Sequence, residues 1–404
     1  MKDKTFLVAK DGAVFTYEKL LEEISTVVEL PVYCYSSDVF EIFRTILASI
    51  LAGVDLVLLD YDFTDEELNT LGIDSAIVNE RIRIERLDIR DIEDLFESVA
   101  NSQSWKLTLF TSGTTGVPKK VSHGISNLVR MVRQSERHKH SVWAYAYNPT
   151  HIAGVQVFFQ ALLNCNAIVD VFGLPRDMVL KRIEEYQVTN ISATPTFYRM
   201  LLPMDRAHPS VKRLTSGGER FDSALAEKIL EGFPNAQMRN IYASTEAGSV
   251  LESKDDKFTI SDPQQCMIRD DKLFIRRSLL GLDSIVDEWY DTGDLVQITD
   301  SVKGEFIFVS RANEMINVGG YKANPLEIEE ALCSHPSIES ARVWGKPNPV
   351  VGNILMAEVV CSTLCSEAGI RAYLKDKLQD FKIPRVIDFV ESIVTTRSGK
   401  IKRG

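Results

Sequence analysis

The 404-residue chain is long enough for two or more domains, and its 45% hydrophobic and 25% charged content is that of a globular enzyme. A formal net charge of −11 argues against a nucleic-acid binder and against a protein held on anionic lipid by charge. The six cysteines form no Cys-x-x-Cys pair and have no neighbouring histidines to complete a zinc pattern, so no structural metal site is expected. The first residues lack the apolar run of a signal peptide, and no segment approaches the ~18 apolar residues that span a bilayer. The expectation is a reduced, cytoplasmic protein with no membrane or nucleic-acid partner.

Residues 13–30 read as a short strand and an amphipathic helix, with Leu20, Leu21, Ile24 and Val27 at helical spacing. Residues 38–52 repeat the theme through Val39, Ile42, Phe43, Ile46, Leu47 and Ile50. Gly53 ends that helix, and 55–60 is a short apolar strand. Thr64 opens a helix with Asp65, Glu66 and Glu67 in its first turn, where the dipole favours anions. Residues 76–104 read as short strands and a linking helix, and 105–110 as a buried strand. Residues 122–137 are expected to be helical. Their Arg130, Arg133 and Arg137, with His138 and His140, read as a solvated face or as a phosphate holder. Strands at 142–147, 167–172, 190–193, 211–214 and 237–241 then alternate with helices at 155–163, 176–186 and 223–232, each joined by a small or polar corner. Such alternation implies a parallel sheet covered by helices, with ligands at the carboxyl ends of the strands. From about residue 250 short alternating strands (257–260, 273–276, 295–298, 306–309) imply an antiparallel subdomain. After Pro325, a helix at 327–334, strands at 340–344 and 354–361, and a helix at 367–378 make a compact α+β unit.

Several corners carry chemistry. Thr111, Ser112, Gly113, Thr114, Thr115 and Gly116 lead to Pro118, Lys119 and Lys120. Glycines that let the backbone bend, hydroxyls and ammonium groups suit a polyphosphate, although a polar surface loop has the same composition. The Walker pattern does not occur. Glu246 is a hard oxygen ligand suited to Mg²⁺, or a carboxylate at a helix start. Asp294 suits two ribose hydroxyls, or a turn in Thr-Gly-Asp. Tyr242 suits stacking on adenine, or a half-buried place in a sheet.

In order and approximate spacing these corners resemble the adenylate-forming superfamily of acyl-CoA synthetases, peptide-synthetase adenylation domains and firefly luciferases. Residues 111–119 (TSGTTGVPK) resemble its phosphate loop, Ser216-Gly217-Gly218-Glu219 its adenine-flanking corner, and 242–246 (YASTE) its YGxTE. Residues 290–294 (YDTGD), Arg311, then 319–329 (GGYKANPLEIE) and 398–401 (SGKI) resemble the motifs that follow. The resemblance implies a large N-terminal domain of layered α/β sheets with a small antiparallel β subdomain (1–310), a hinge (311–313) and a small mobile α+β C-terminal domain (314–404). It implies that Lys400 reaches the substrate carboxylate and the α-phosphate, a role suited to a point charge on a flexible stem. Lys400, Glu246, Thr245 and His151 are the implied catalytic residues. The residues at 111–116, Lys119, Gly217, Gly218, Glu219, Asn240, Tyr242, Asp294 and Arg311 would hold ATP. His151, Thr194, Phe197, Ser216, Ala243, Ser244 and Gly248 would border the acid, and Gly319 and Gly320 the thiol's approach.

Five departures stand out: Ser310 where glycine is usual, Asn313 at the hinge, Ala243 in place of the YGxTE glycine, no proline before Ser398-Gly399-Lys400, and only 110 residues before the phosphate loop. The implied activity is ATP- and Mg²⁺-dependent conversion of a small carboxylic acid to an acyl-adenylate, then transfer to coenzyme A. The alternatives are loading of a free-standing carrier protein, since no carrier domain follows Gly404, and a nucleotide binder that has lost its chemistry.

Overall fold

The computed structural model describes residues 3–74, 77–111, 119–219, 223–284, 287–311, 314–318, 321–348 and 352–395. The chain forms two compact units, one of residues 1–258 with 276–289, the other of residues 259–275 with 290–404. The antiparallel strands that the sequence reading placed in the large domain thus group with the C-terminal residues.

In the first unit, local signals set the helices. Asp38 accepts from the backbone N–H of Phe40 and Glu41 to open helix Val39–Ala52, and Gly53 closes it in the left-handed conformation at φ 65°. The face that periodicity marked is buried: Ile42, Phe43, Ile46 and Leu47 lose all solvent contact. Each contributes about 1.5–3 kcal/mol by leaving water. Phe43 stacks on Phe158 at 4.1 Å and meets Tyr145 edge-on at 5.4 Å, which ties this helix to the sheet. Thr64 and Glu67 form a reciprocal capping box on helix Asp65–Thr70.

The larger sheet has eight strands in the order Gly248–Ser253, Gln237–Ser244, Arg213–Gly217, Asn190–Ala193, Val142–Tyr145, Ala167–Asp170, Thr5–Val8, Val14–Thr16. All neighbours are parallel except the outermost pair at each end. A four-stranded sheet runs Tyr33–Tyr35, Leu56–Leu59, Lys106–Thr111, Lys119–Gly124, the last pair antiparallel. The helix expected over 122–137 is not formed. Lys119–Gly124 is a strand, helix Ile125–Val129 has five residues, and a 3-10 turn covers Glu136–His138. The reason is pairing: Val121 and His123 are buried against Leu109 and Leu107 of the neighbouring strand, a partner that local periodicity cannot reveal.

In the second unit, strands Cys266–Arg269, Lys272–Arg276, Trp289–Asp300 and Glu305–Arg311 form the expected antiparallel sheet. Trp289–Asp300 is far longer than the 295–298 read from sequence. Thr292-Gly293-Asp294 is absorbed as an irregularity: Gly293 takes φ 73°, Asp291 accepts from its N–H, and Thr292 accepts from that of Asp294. A second sheet pairs Ile338–Asn348 with Gly352–Cys361 under helices Pro325–Cys333 and Glu367–Lys375, as expected. No helix among the described residues is long and apolar enough to cross a membrane.

Candidate active site

Four adjacent parallel strands bring the predicted corners of the first unit to one edge. Val142–Tyr145, Asn190–Ala193, Arg213–Gly217 and Gln237–Ser244 lie side by side, so 146–151, Thr194 to Phe197, Ser216 to Glu219 and the Tyr242 corner follow their carboxyl ends. From Val142–Tyr145 the chain passes first to Ala167–Asp170 on one flank and then to Asn190–Ala193 on the other. That reversal is the switch point at which open α/β sheets bind ligands. His151 stands there, preceding helix Ile152–Leu162.

His151 is held by a residue that sequence reading missed. Its Nε2 lies 3.1 Å from Asp60 Oδ2, at the end of strand Leu56–Leu59 in the other sheet. Asp60 Oδ1 accepts from Asn148 Nδ2 at 2.8 Å and from the Thr150 hydroxyl. Burial pushes the Asp60 carboxyl up, but hydrogen bonds from His151, Thr150 and Asn148 outweigh it and hold the pKa below its ordinary value. The carboxylate therefore stays ionised and fixes the ring. The DLVLLD pattern marked a strand end; nothing local in it indicated the histidine 91 positions on.

Residues 112–118, which the sequence reading takes as a phosphate loop, follow strand Lys106–Thr111 and precede strand Lys119–Gly124, an antiparallel pair in which Thr111 lies opposite Lys119. Ser112, Gly113, Thr114, Thr115 and Gly116 lie outside the described residues. The base of this hairpin is tied to the Thr245–Glu246 corner. His123 Nε2 donates to the Thr245 carbonyl at 2.8 Å, while its Nδ1 receives the Asn127 amide at 3.1 Å. An amide N–H can only donate, so the ring is the neutral Nε2–H tautomer. Burial also lowers the His123 pKa, against the smaller raising effect of the Thr245 carbonyl. Arg130 donates to the carbonyls of Ala247, Ser249 and Leu279. Arg133 pairs with Glu252 at 2.6 Å. Arg130 thus braces protein and fits neither expected role, whereas Arg133, 62% exposed beside Glu252, lies on a solvated face as expected.

Strand Gln237–Ser244 turns through 245–247 into Gly248–Ser253, with Ala243 opposite Ser249 and Ser244 opposite Gly248. Glu246 is on a hairpin rather than at a helix start. Its carbonyl accepts from Gly281 N–H at 2.7 Å, and its half-buried carboxylate has no hydrogen bond or ion pair among the described residues. No group of three or more His, Cys, Asp or Glu that could hold a metal occurs among the described residues. A lone available carboxylate fits Mg²⁺ shared with nucleotide oxygens, and does not fit a protein-built cage.

The remaining candidates divide. Gly217 is closely packed, since a Cβ there would lie 3.0 Å from the Ile241 carbonyl, and Gly218 takes φ 84°. Glu219 Oε2 accepts from Thr196 N–H and hydroxyl at 3.0 and 2.8 Å, so it engages the start of helix Pro195–Met200. The Thr194 hydroxyl caps the same helix through Phe197 N–H. Phe197 packs edge-on to Tyr198 at 6.0 Å. Asn240 is buried with its amide 3.4 Å from the Asp255 carbonyl, and Tyr242 is half-buried on the strand. The Ser216 hydroxyl is buried without a hydrogen-bond partner among the described residues. In the second unit, Asp294 is buried and accepts from Arg311 Nε at 2.9 Å, the two residues lying opposite each other in register. Lys400, Gly319, Gly320 and Asn313 lie outside the described residues.

Residues 78–268 match the family model of the AMP-binding enzymes, and 327–400 match that of the AMP-binding enzyme C-terminal domain. The chain belongs to the adenylate-forming superfamily. Among superfamily members, it is 24% identical over 409 residues to the 2-succinylbenzoate–CoA ligase of Bacillus licheniformis, covering 88% of this chain and 84% of that protein. It is 26% identical over 354 residues to the mouse mitochondrial acyl-coenzyme A synthetase ACSM4, covering 75% of this chain. The chain spans only 60% of the length of that relative. The fold matches the o-succinylbenzoate CoA synthetase of Bacillus subtilis in complex with its acyl-adenylate, with a TM-score of 0.73 and 22% identity over 99% of this chain and 94% of that one. It matches an amide bond synthetase from Marinactinospora thermotolerans with a TM-score of 0.76 and 19% identity over 98% and 95% of the two chains. As in this superfamily, a large N-terminal α/β part precedes a small C-terminal α+β part.

Proposed function

We propose that the protein is an AMP-forming acid–thiol ligase. A carboxylate oxygen of a small acid attacks the α-phosphorus of ATP, the bond to the β-phosphate breaks, and pyrophosphate leaves behind an acyl-adenylate. A thiolate then attacks the acyl carbon and AMP leaves. The observation that carries this reading is the row of four corners at the sheet's switch point, in a chain of a superfamily built around that reaction. The CoA ligases among its relatives favour coenzyme A as the thiol.

Each residue has a part in the reading. Residues 111–116 and Lys119 hold the β- and γ-phosphates by backbone amides, hydroxyls and charge. Bound Mg²⁺ would neutralise charge on the phosphates, with Glu246 as its protein ligand and Thr245 beside it. Tyr242, Asn240, Gly217, Gly218 and Glu219 border the adenine, Asp294 receives the ribose hydroxyls, and Arg311 orients Asp294. Lys400 meets the reacting carboxylate and α-phosphate. The fixed neutral His123 sets the Thr245–Glu246 backbone, and Asp60 sets His151 at the acid. Thr194, Phe197, Ser216, Ala243, Ser244 and Gly248 shape the rest of that pocket. Residues 311–313, which fall within the second compact unit, serve as the hinge on which 314–404 turns, and Gly319 and Gly320 line the thiol's approach.

The test incubates the protein with Mg-ATP, a panel of small acids and coenzyme A. The expected result is one AMP and one pyrophosphate per acyl-CoA formed. Adenylate without thioester, followed by transfer to a holo carrier protein, would replace coenzyme A by that acceptor. ATP binding with no turnover of any acid would favour a protein that has lost its chemistry.

A further inference from the structure

Cys361 ends strand Gly352–Cys361, and Cys365 stands just before Ser366, the cap of helix Glu367–Lys375. Their Sγ atoms lie 2.7 Å apart. Non-bonded carbon atoms, which are smaller than sulfur, rest at roughly 3.5–4.0 Å, and a disulfide bond is about 2.05 Å long. The two sulfurs therefore stand closer to bonding distance than to ordinary contact. The fold sets this approach from both sides. Cys361 lies opposite Ile338 in the sheet, and after it Ser362 N–H and the Thr363 hydroxyl donate to the carbonyl and hydroxyl of Ser337. On the other side the Ser366 hydroxyl accepts from Gly369 N–H, while Ile370 and Leu374 anchor the helix in the core that holds Val359. Both cysteines are half-buried, and Ser362, Thr363, Leu364, Ser366 and Glu367 beside them are exposed, so the pair stands at the surface. Among the described residues no third His, Cys, Asp or Glu joins them in a group that could hold a metal.

We propose that Cys361 and Cys365 are a reversible dithiol–disulfide site that reacts with low-molecular-weight disulfides. The Cys365 thiolate attacks one sulfur of the reagent, whose S–S bond breaks to release a first thiolate. The Cys361 sulfur, on losing its proton, then attacks Cys365 in the mixed disulfide and expels the second. The two cysteines lose two electrons and two protons, and the reagent gains them as two thiols. Burial, and after it the contact with Cys365, pushes the Cys361 thiol above its ordinary pKa, which makes Cys361 the second to attack. The bond ties the end of a central strand to the start of the helix that covers it. By linkage, the factor by which folding favours the disulfide is the factor by which the disulfide favours the folded state. Exposed disulfides are the readily reduced ones, so the tie opens again when thiols prevail. None of the groups assigned to the ligase reaction takes part.

The experiment equilibrates the full chain with mixtures of oxidised and reduced glutathione, quenches with acid, alkylates the remaining thiols and digests with trypsin. One peptide, Val343 to Arg371, carries both cysteines, because Pro347 protects Lys346 from cleavage. The expected product is that peptide unalkylated and two hydrogens lighter than its reduced form, and dithiothreitol should restore the reduced form. Repeating the titration in concentrated urea measures what the fold contributes. The equilibrium constant for ring closure should be about tenfold or more larger in the folded chain, since its sulfurs are already in place. Cys361→Ser and Cys365→Ser should each keep a glutathione adduct on the remaining cysteine that the unaltered protein resolves into the ring. The comparison with urea uses the unaltered chain and needs neither variant to fold. Alkylation of both cysteines in the oxidised mixture, persistent glutathione adducts on the unaltered protein, or an equilibrium constant no larger folded than in urea would overturn the assignment.

Discussion

Replacing Asp170 by asparagine tests the electrostatics of the sheet edge on which the site is built. Asp170 ends strand Ala167–Asp170, is 3% exposed, and accepts one hydrogen bond from Phe172 N–H at 3.1 Å. Burial pushes its pKa from the ordinary 3.8 up to about 6, and Lys10, Phe172 N–H and Arg182 only partly oppose that. A rise of that size corresponds to roughly 3 kcal/mol at pH well above both values. The sign follows from which state binds the proton. Below about pH 3 the carboxyl is protonated both folded and unfolded, and the penalty is absent. Between pH 4 and 6 the unfolded chain releases its proton first, so the folded state loses ground as pH rises; above about pH 6.5 the loss is complete. Asparagine cannot ionise. Whatever constant change the new amide introduces, the stability of Asp170→Asn relative to the unaltered protein should rise by about 2.5 kcal/mol from pH 4 to pH 8. Urea unfolding of both proteins across that range measures the difference, in which contributions of other titrating groups cancel. A difference that stays flat with pH would refute the reasoning.

Other expectations follow from the same geometry. Lys400→Ala should cut adenylate formation by at least about a hundredfold while leaving ATP affinity within a few-fold, as measured by pyrophosphate release and by ATP binding. Asp60→Asn weakens a charge-assisted hydrogen bond worth about 1.5–3 kcal/mol, so kcat/KM for the acid should fall roughly ten- to hundredfold with KM for ATP little changed. In a His151→Ala background the same change should have little further effect, which a double-mutant cycle reads directly. His123→Leu strands the Thr245 carbonyl and should destabilise by about 1–3 kcal/mol in urea unfolding. Because burial lowers the His123 pKa, the unfolded chain protonates first, and this histidine's contribution to stability should decline as pH falls below about 6.5.

Helix Val39–Ala52 was legible because its cap, periodicity and terminal glycine all lie within a few residues of one another. The same holds for the corners after the parallel strands, where a short apolar run meets Gly, Ser or Thr. What escaped reading depends on residues far apart in the chain. Asp60 meets His151 only because two sheets place their strand ends together. The strand Lys119–Gly124 is fixed by its neighbour, and its basic start and the downstream arginines imitated an amphipathic helix. Glu219 and Thr194 were legible as corner residues but not as partners of one helix start.

The central claim is formation of an acyl-adenylate, and pyrophosphate exchange tests it most directly. The full chain is incubated with Mg-ATP, labelled pyrophosphate and one acid at a time, without coenzyme A. Reversal of the first step then carries label into ATP only if the acid has been adenylated. The account predicts acid-dependent labelling that requires Mg²⁺ and is lost in Lys400→Ala. Labelling that is independent of acid, or absent with every acid while ATP still binds, would contradict it.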